Sequence, residues 1–225
     1  GKMRLIIVGA APANANTLEW FNNVGILTLQ GYGLSECSPV VSAENETHMK
    51  RGSIGIPLPD ICVRIDNEDE NGIGEIVVKG DNVMLGYLDN EEETKRILKD
   101  GELYTGDMGY MDEDGYIFIT GRKKNVIVLD NGKNVFPEEL EALVCTCNVA
   151  KECIVTNEPE NGKDLLVATV YVEKGTDLEE AKAIMDRHVL NLNKRLPQYK
   201  WIKRTVVTDK MPEMTTTLKV KRHTK

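Results

Sequence analysis

The stretch LQGYGLSECSPVV, residues 29–41, sets an aromatic ring, two glycines, a hydroxyl and a carboxylate close together, directly after the apolar run ILTL. A turn needs the glycines, but it does not need Tyr32, Ser35 and Glu36 together. A loop that holds a nucleotide and its metal would use all three. Upstream, RLIIVG (4–9) is a continuous apolar run of the kind found in a buried parallel strand. ANTLEWFNNVG (15–25) has helical spacing at Leu18 and Phe21, with Gly25 where a helix would stop. ILTLQG then reads as a second strand, and GYGLSE as the loop leaving its carboxyl end. Open α/β sheets bind ligands at that edge.

Beyond residue 52 the pattern changes. Short alternating runs (CVRID, GEIVVKG, YIFITG) are separated by Gly, Asn and Asp clusters, the signature of small antiparallel sheets or a barrel. One helix, NEEETKRILKDG, interrupts them, with acids in its first turn and a glycine after it. After Gly121 come strand NVIVLD, turn NGKN, helix PEELEALVCTC with Pro137 at its first position, strands CIVTN and DLLVATVYVE, helix LEEAKAIMDRHVLNLNKRL and strand WIKRTVVTD. The expected fold class is α/β and α+β. Residues 1–51 form the end of a large α/β domain, 52–121 a β-barrel-like subdomain, and 122–225 a small α+β C-terminal domain.

Composition narrows the field. With 41% hydrophobic and 28% charged residues in a chain of 225, a core of ordinary size can be buried. No apolar run approaches the ~20 residues that cross a bilayer, and no signal-peptide pattern opens the chain, so a cytoplasmic location is expected, with peripheral membrane contact left open. Five cysteines, at 37, 62, 145, 147 and 153, are an odd number in apolar surroundings, which argues against a secreted disulfide framework. The CTCNVAKEC cluster lacks the spacing and the histidines of a zinc site. Residues 182–225 carry twelve Lys and Arg against three Asp and Glu, on an otherwise acidic chain. With Tyr199 and Trp201 the only aromatics in that tail, a base-stacking surface is not expected, and a phosphate-bearing small molecule is favoured over nucleic acid.

Four motifs in order, GYGLSE, YTGDMGYMDEDGYIFITGRKKNVIV, NGKNVFPEELE and TTTLKVKR, resemble the adenylate-forming acyl-CoA synthetase superfamily, and the bacterial long-chain fatty acid–CoA ligases most of all. The resemblance implies that Tyr32 lies against adenine, that Gly31 and Gly33 let backbone approach the base, and that Ser35 offers its hydroxyl to the α-phosphate where the family usually has Thr. Glu36 matches the magnesium carboxylate. Gly9, Ala10 and Ala11 in VGAAP match a segment that contacts adenine through main chain. Asp107 matches the ribose-binding aspartate, Arg122 the arginine reaching ribose and phosphate, and Lys124 the hinge position. In the terminal stretch Lys219 and Arg222 are kept, while Met214 and Leu218 stand where lysine and glycine are usual. Lys219 is therefore the implied catalytic cation. Gly132 would sit in the loop that joins the pantetheine tunnel; Val135, Pro137 and Glu138 to Glu141 are scaffold.

The implied cofactors and substrates are ATP/AMP, Mg2+, coenzyme A and a fatty acid. The Ser/Thr/Gly-rich loop that grips the β- and γ-phosphates in the family is absent here and is expected upstream. The chain therefore reads as the C-terminal part of a longer synthetase that does not turn over by itself. An adenylation domain loading a carrier protein, and a non-catalytic AMP-binding scaffold, are the alternatives.

Overall fold

A computed structural model describes residues 1–10, 13, 15–160 and 163–212, and it begins with a strand, a helix and a strand. Strand β1 (Leu5–Val8) pairs parallel with β2 (Leu27–Gly33), and α1 (Ala15–Asn23) connects them. The helix ends in a Schellman arrangement: Gly25 takes a φ of 82°, its N–H donates to Asn22 O, and the Ile26 N–H reaches back to Phe21 O. Helix α1 covers the sheet face that carries Thr28, whose hydroxyl donates to Leu18 O. Leu5 and Ile7 point to the other face of this edge strand and remain 46% and 72% exposed, so β1 is less buried than its apolar run predicts.

The second difference lies in the opening stretch. Gly31, Tyr32 and Gly33 are not loop; they continue β2, which pairs antiparallel with β3 (Val40–Ala43), and β3 pairs with β4 (Ile56–Pro57). The register shifts between Tyr32 and Gly33. A Cβ at Gly33 would lie 2.0 Å from Pro39 O, so glycine there admits the chain's own return rather than a ligand. Because β4 belongs to this sheet, the first layer runs past residue 51.

The antiparallel sheet that follows holds β5 (Cys62–Asp66), β6 (Gly74–Lys79), β7 (Leu98–Lys99), β8 (Glu102–Met111) and β9 (Ile117–Arg122). Strand β8 pairs with β6, β7 and β9 in turn, and shifts in register at Glu75/Val77 and Met108/Gly109 bend it. Helix α2 (Glu91–Ile97) starts at the N-cap Asn90, whose side chain accepts from Glu93 N at 3.1 Å. It stops three residues earlier than the sequence suggests, since Leu98 and Lys99 join a hairpin whose turn, Asp100 and Gly101, has positive φ at both positions. Cys37, Val41, Ile76, Val78, Leu103 and Ile117 form the buried core here.

The chain divides into two compact units, Gly1–Lys124 and Asn125–Lys225. The first extends past the boundary expected at residue 122 because Arg122 and Lys123 are both bonded to its carboxylates. In the second, β10 (Ile127–Val128) and β11 (Asn134–Val135) make a short hairpin leading into α3 (Pro137–Val144). Strands β12 (Glu152–Glu160) and β13 (Lys163–Tyr171) pair antiparallel. Helix α4 (Leu178–Asn193) then crosses over so that β14 (Ile202–Thr208) lies parallel to β13. Leu140 and Val144 of α3 and Ala181, Met185 and Val189 of α4 pack with Val155, Leu166, Ala168 and Val170 of the sheet.

Candidate functional site

Strand β2 delivers the opening stretch to a single 3-10 turn, Ser35–Cys37, closed by Ser38 at a φ of 56°. Cys37 is fully buried and anchors the turn in the core, so the neighbouring Ser35 is exposed and Glu36 half-buried. Burial pushes the Cys37 thiol up to about 11. The segment after β6 is laced onto this turn: Asn82 Nδ2 donates to Cys37 O at 3.0 Å and Met84 N to Glu36 O at 2.8 Å. Tyr87 closes the contact, its hydroxyl donating to Glu36 Oε1 at 2.6 Å. That bond, with partial burial, pushes the phenol up to about 12, so it is a protonated donor at neutral pH. Glu36 Oε2 has no hydrogen-bond partner among the described residues.

On the same sheet Tyr32 donates its hydroxyl to Asp107 Oδ2 at 2.6 Å. Desolvation, and then the negative charge of Asp107, push this phenol far above its ordinary range, which holds the proton on tyrosine. Asp107, only 5% exposed, receives Arg122 Nε on its other oxygen at 2.8 Å. The β8/β9 register sets Asp107 directly opposite Arg122. Below it Thr105 Oγ1 donates to Ile76 O and accepts from Asp107 N. Glu75, also buried, accepts from Gly106 N at 3.0 Å and from Lys123 Nζ at 2.6 Å.

Of the residues singled out in the sequence, Tyr32, Asp107 and Arg122 are in direct contact, with Ser35 and Glu36 on the turn that follows Tyr32. Gly9 lies beside Gly31, whose carbonyl is 3.4 Å from where a Cβ at Gly9 would stand, and Ala10 takes a left-handed φ of 66°. Gly132 belongs to the second unit, at the tip of the β10–β11 hairpin, with a φ of 77° and its N–H bonded to Leu129 O. Ala11 and Lys219 lie outside the described residues. Sequence reasoning missed Tyr87, Glu75 and Thr105. Tyr87 meets Glu36 across 51 positions, which no local pattern reports, while Glu75 occupies a run, GEIVVKG, read only as alternating strand.

The site is an acceptor-rich edge in which the cations Arg122 and Lys123 are each paired with a buried carboxylate. A buried carboxylate offers two acceptor oxygens, which suit a vicinal diol. The free Oε2 of Glu36 is a hard oxygen donor and fits a hard divalent cation such as Mg2+.

The sequence profile of the AMP-binding enzyme family matches residues 1–88, and that of the AMP-binding enzyme C-terminal domain matches residues 124–224. A long-chain-fatty-acid–CoA ligase of Salmonella typhimurium is 33% identical over 211 residues, which are 91% of this chain and 36% of that protein. A 2-succinylbenzoate–CoA ligase of Bacillus pumilus is 32% identical over 230 residues, 98% of this chain and 45% of that protein. The structure of o-succinylbenzoate coenzyme A synthetase from Bacillus subtilis in complex with ATP and magnesium superposes with a TM-score of 0.82 at 27% identity, covering 96% of this chain and 45% of that one. The chain thus spans less than half the length of these relatives.

Proposed function

Because the chain belongs to the AMP-binding enzyme family of adenylate-forming acid–CoA ligases, we propose that it is the carboxyl-terminal part of an ATP-dependent fatty acid–CoA ligase. In the first half-reaction a carboxylate oxygen of the acid attacks the α-phosphorus of ATP. The bond to pyrophosphate breaks, leaving acyl-AMP. In the second, the CoA sulfur attacks the acyl carbonyl, its proton is lost, and AMP departs.

The observation that carries this reading is the Tyr32–Asp107–Arg122 contact on the strand that leads into Glu36. Asp107 accepts from the ribose hydroxyls while Arg122 and Tyr32 hold its carboxylate in place. The ring of Tyr32, fastened by its hydroxyl, gives adenine a fixed surface. Gly9, Ala10, Gly31 and Gly33 shape the backbone beside it, and Ser35 donates towards the α-phosphate. Glu36 holds Mg2+, which when bound neutralises phosphate charge. Lys219 supplies the mobile cation and Gly132 the loop for the pantetheine arm. Both roles rest on the resemblance of their motifs. Among the described residues no helix is long and apolar enough to cross a membrane.

Acid-dependent exchange of labelled pyrophosphate into ATP, measured on the intact gene product with a panel of acids, tests the reading. Long-chain fatty acids are expected to drive exchange and to yield CoA thioesters. Exchange only with a succinylbenzoate-type aromatic acid would replace the fatty acid by that class, which the Bacillus pumilus relative represents. Exchange with no acid would overturn the ligase. Glu36→Ala should lower the exchange rate about 100-fold or more, as the loss of a preorganised charge-stabilising group does elsewhere.

A further inference from the structure

We propose that Tyr87 is the positioning residue that orients Glu36 for the divalent cation; the inference rests on the function proposed above and adds to it a residue outside the four motifs. A half-buried glutamate with three side-chain torsions does not select one orientation unaided. Here the Tyr87 hydroxyl takes Oε1 at 2.6 Å, which fixes the plane of the carboxylate and leaves Oε2 free. Fixing one oxygen while the other binds metal is the arrangement by which outer partners tune metal-ligating carboxylates.

The placement of Tyr87 is itself determined. Its N–H donates to Thr94 Oγ1 at 2.9 Å, and that hydroxyl donates to Asn90 O at 2.9 Å, so the first turn of α2 holds the tyrosine backbone. Gly86 passes against the same threonine at a φ of 153°, and a Cβ there would stand 2.8 Å from Thr94 Cγ2. Two other bonds, Asn82 Nδ2 to Cys37 O and Met84 N to Glu36 O, already fasten this segment to the turn through main-chain carbonyls. Attachment therefore does not require the phenol. Its hydroxyl acts on the Glu36 side chain and not on the fold.

The test uses the intact gene product, with Mn2+ as the probe and its free signal followed by electron paramagnetic resonance in the presence of a non-hydrolysable ATP analogue. Tyr87→Phe removes the hydroxyl alone. It is expected to weaken Mn2+ binding about 10-fold or more, the usual cost of losing such an outer partner. The Mg2+ concentration for half-maximal pyrophosphate exchange should rise by the same factor, with the KM for the acid unchanged. Tyr104→Phe, which removes a hydroxyl bonded to the surface residue Arg64, should change neither value. Unaltered Mn2+ affinity in folded Tyr87→Phe overturns the inference. A wild-type protein that binds the analogue without any divalent dependence overturns the magnesium role of Glu36 first. A Tyr87→Phe variant that fails to fold also overturns the inference, because the hydroxyl would then serve the fold. In the folded variant a cycle with Glu36→Gln reads the route: a double variant no weaker in Mn2+ binding than Glu36→Gln supports action through Glu36, and additive losses overturn it.

Discussion

On the function proposed above, Asp107 is a residue held in place for its ligand by its neighbours in the fold. Buried on β8, it accepts from the Tyr32 hydroxyl on Oδ2 and from Arg122 Nε on Oδ1. Asp107→Asn keeps the shape but surrenders the charge that Arg122 faces and turns one acceptor into a donor directed at Tyr32 or Arg122. AMP affinity measured by calorimetry should drop about 10-fold or more, as expected when a charge-assisted bond is lost. At this scale the compact motifs marked Tyr32, Asp107 and Arg122, which folding brings into contact, and Glu36, on the turn that follows Tyr32. The sequence was silent on Tyr87 and Glu75, whose meaning comes from partners brought together only by folding. Gly33 taught a different lesson. Its lack of a side chain is explained by the returning Pro39 carbonyl, a neighbour invisible to local reading.

Among the elements, α4 was legible because its caps and its apolar stripe agree. Asp177 accepts from Glu179 N and Glu180 N, and Ala181, Met185 and Val189 are buried along one face. Replacing the cap, Asp177→Ala, should cost about 1 kcal/mol in urea unfolding of the second unit. Met185→Ala, which empties a fully buried position, should cost about 2–5 kcal/mol. The elements misread were those decided by pairing. Strand β2 runs on through GYG because β3 is there to pair with it, although the glycines alone suggest a loop. Leu98 and Lys99 satisfy a helical pattern equally well, and the Asp100-Gly101 turn wins them for a hairpin.

For the molecule as a whole, cysteines distributed through both units offer a readout of each. Cys37 is buried in the core of the first unit and Cys153 in that of the second, whereas Cys62 is exposed. At pH 8 a thiol raised to about 11, as Cys37 is, has roughly one part in a thousand as thiolate, and it is covered besides. A thiol reagent should therefore modify Cys62 at once. Cys37 and Cys153 should follow only as their own units open, with separate urea midpoints read by mass spectrometry. A shared midpoint would mean that the units unfold as one.

Two paired cations close to the end of the first unit have a mechanical corollary. Arg122 is tied to Asp107 and Lys123 to Glu75, while Asn125 Nδ2 donates to Glu138 in the second unit. Lys124, between them, makes no side-chain bond among the described residues. Any swivel between the halves would be concentrated on an axle one residue wide, in the φ and ψ of position 124. Lys124→Pro would jam that axle by fixing φ, leaving both bodies whole. If the intact gene product runs the two half-reactions proposed above, acyl-AMP should then accumulate while thioester release stalls, so one backbone torsion would set the order of chemical events.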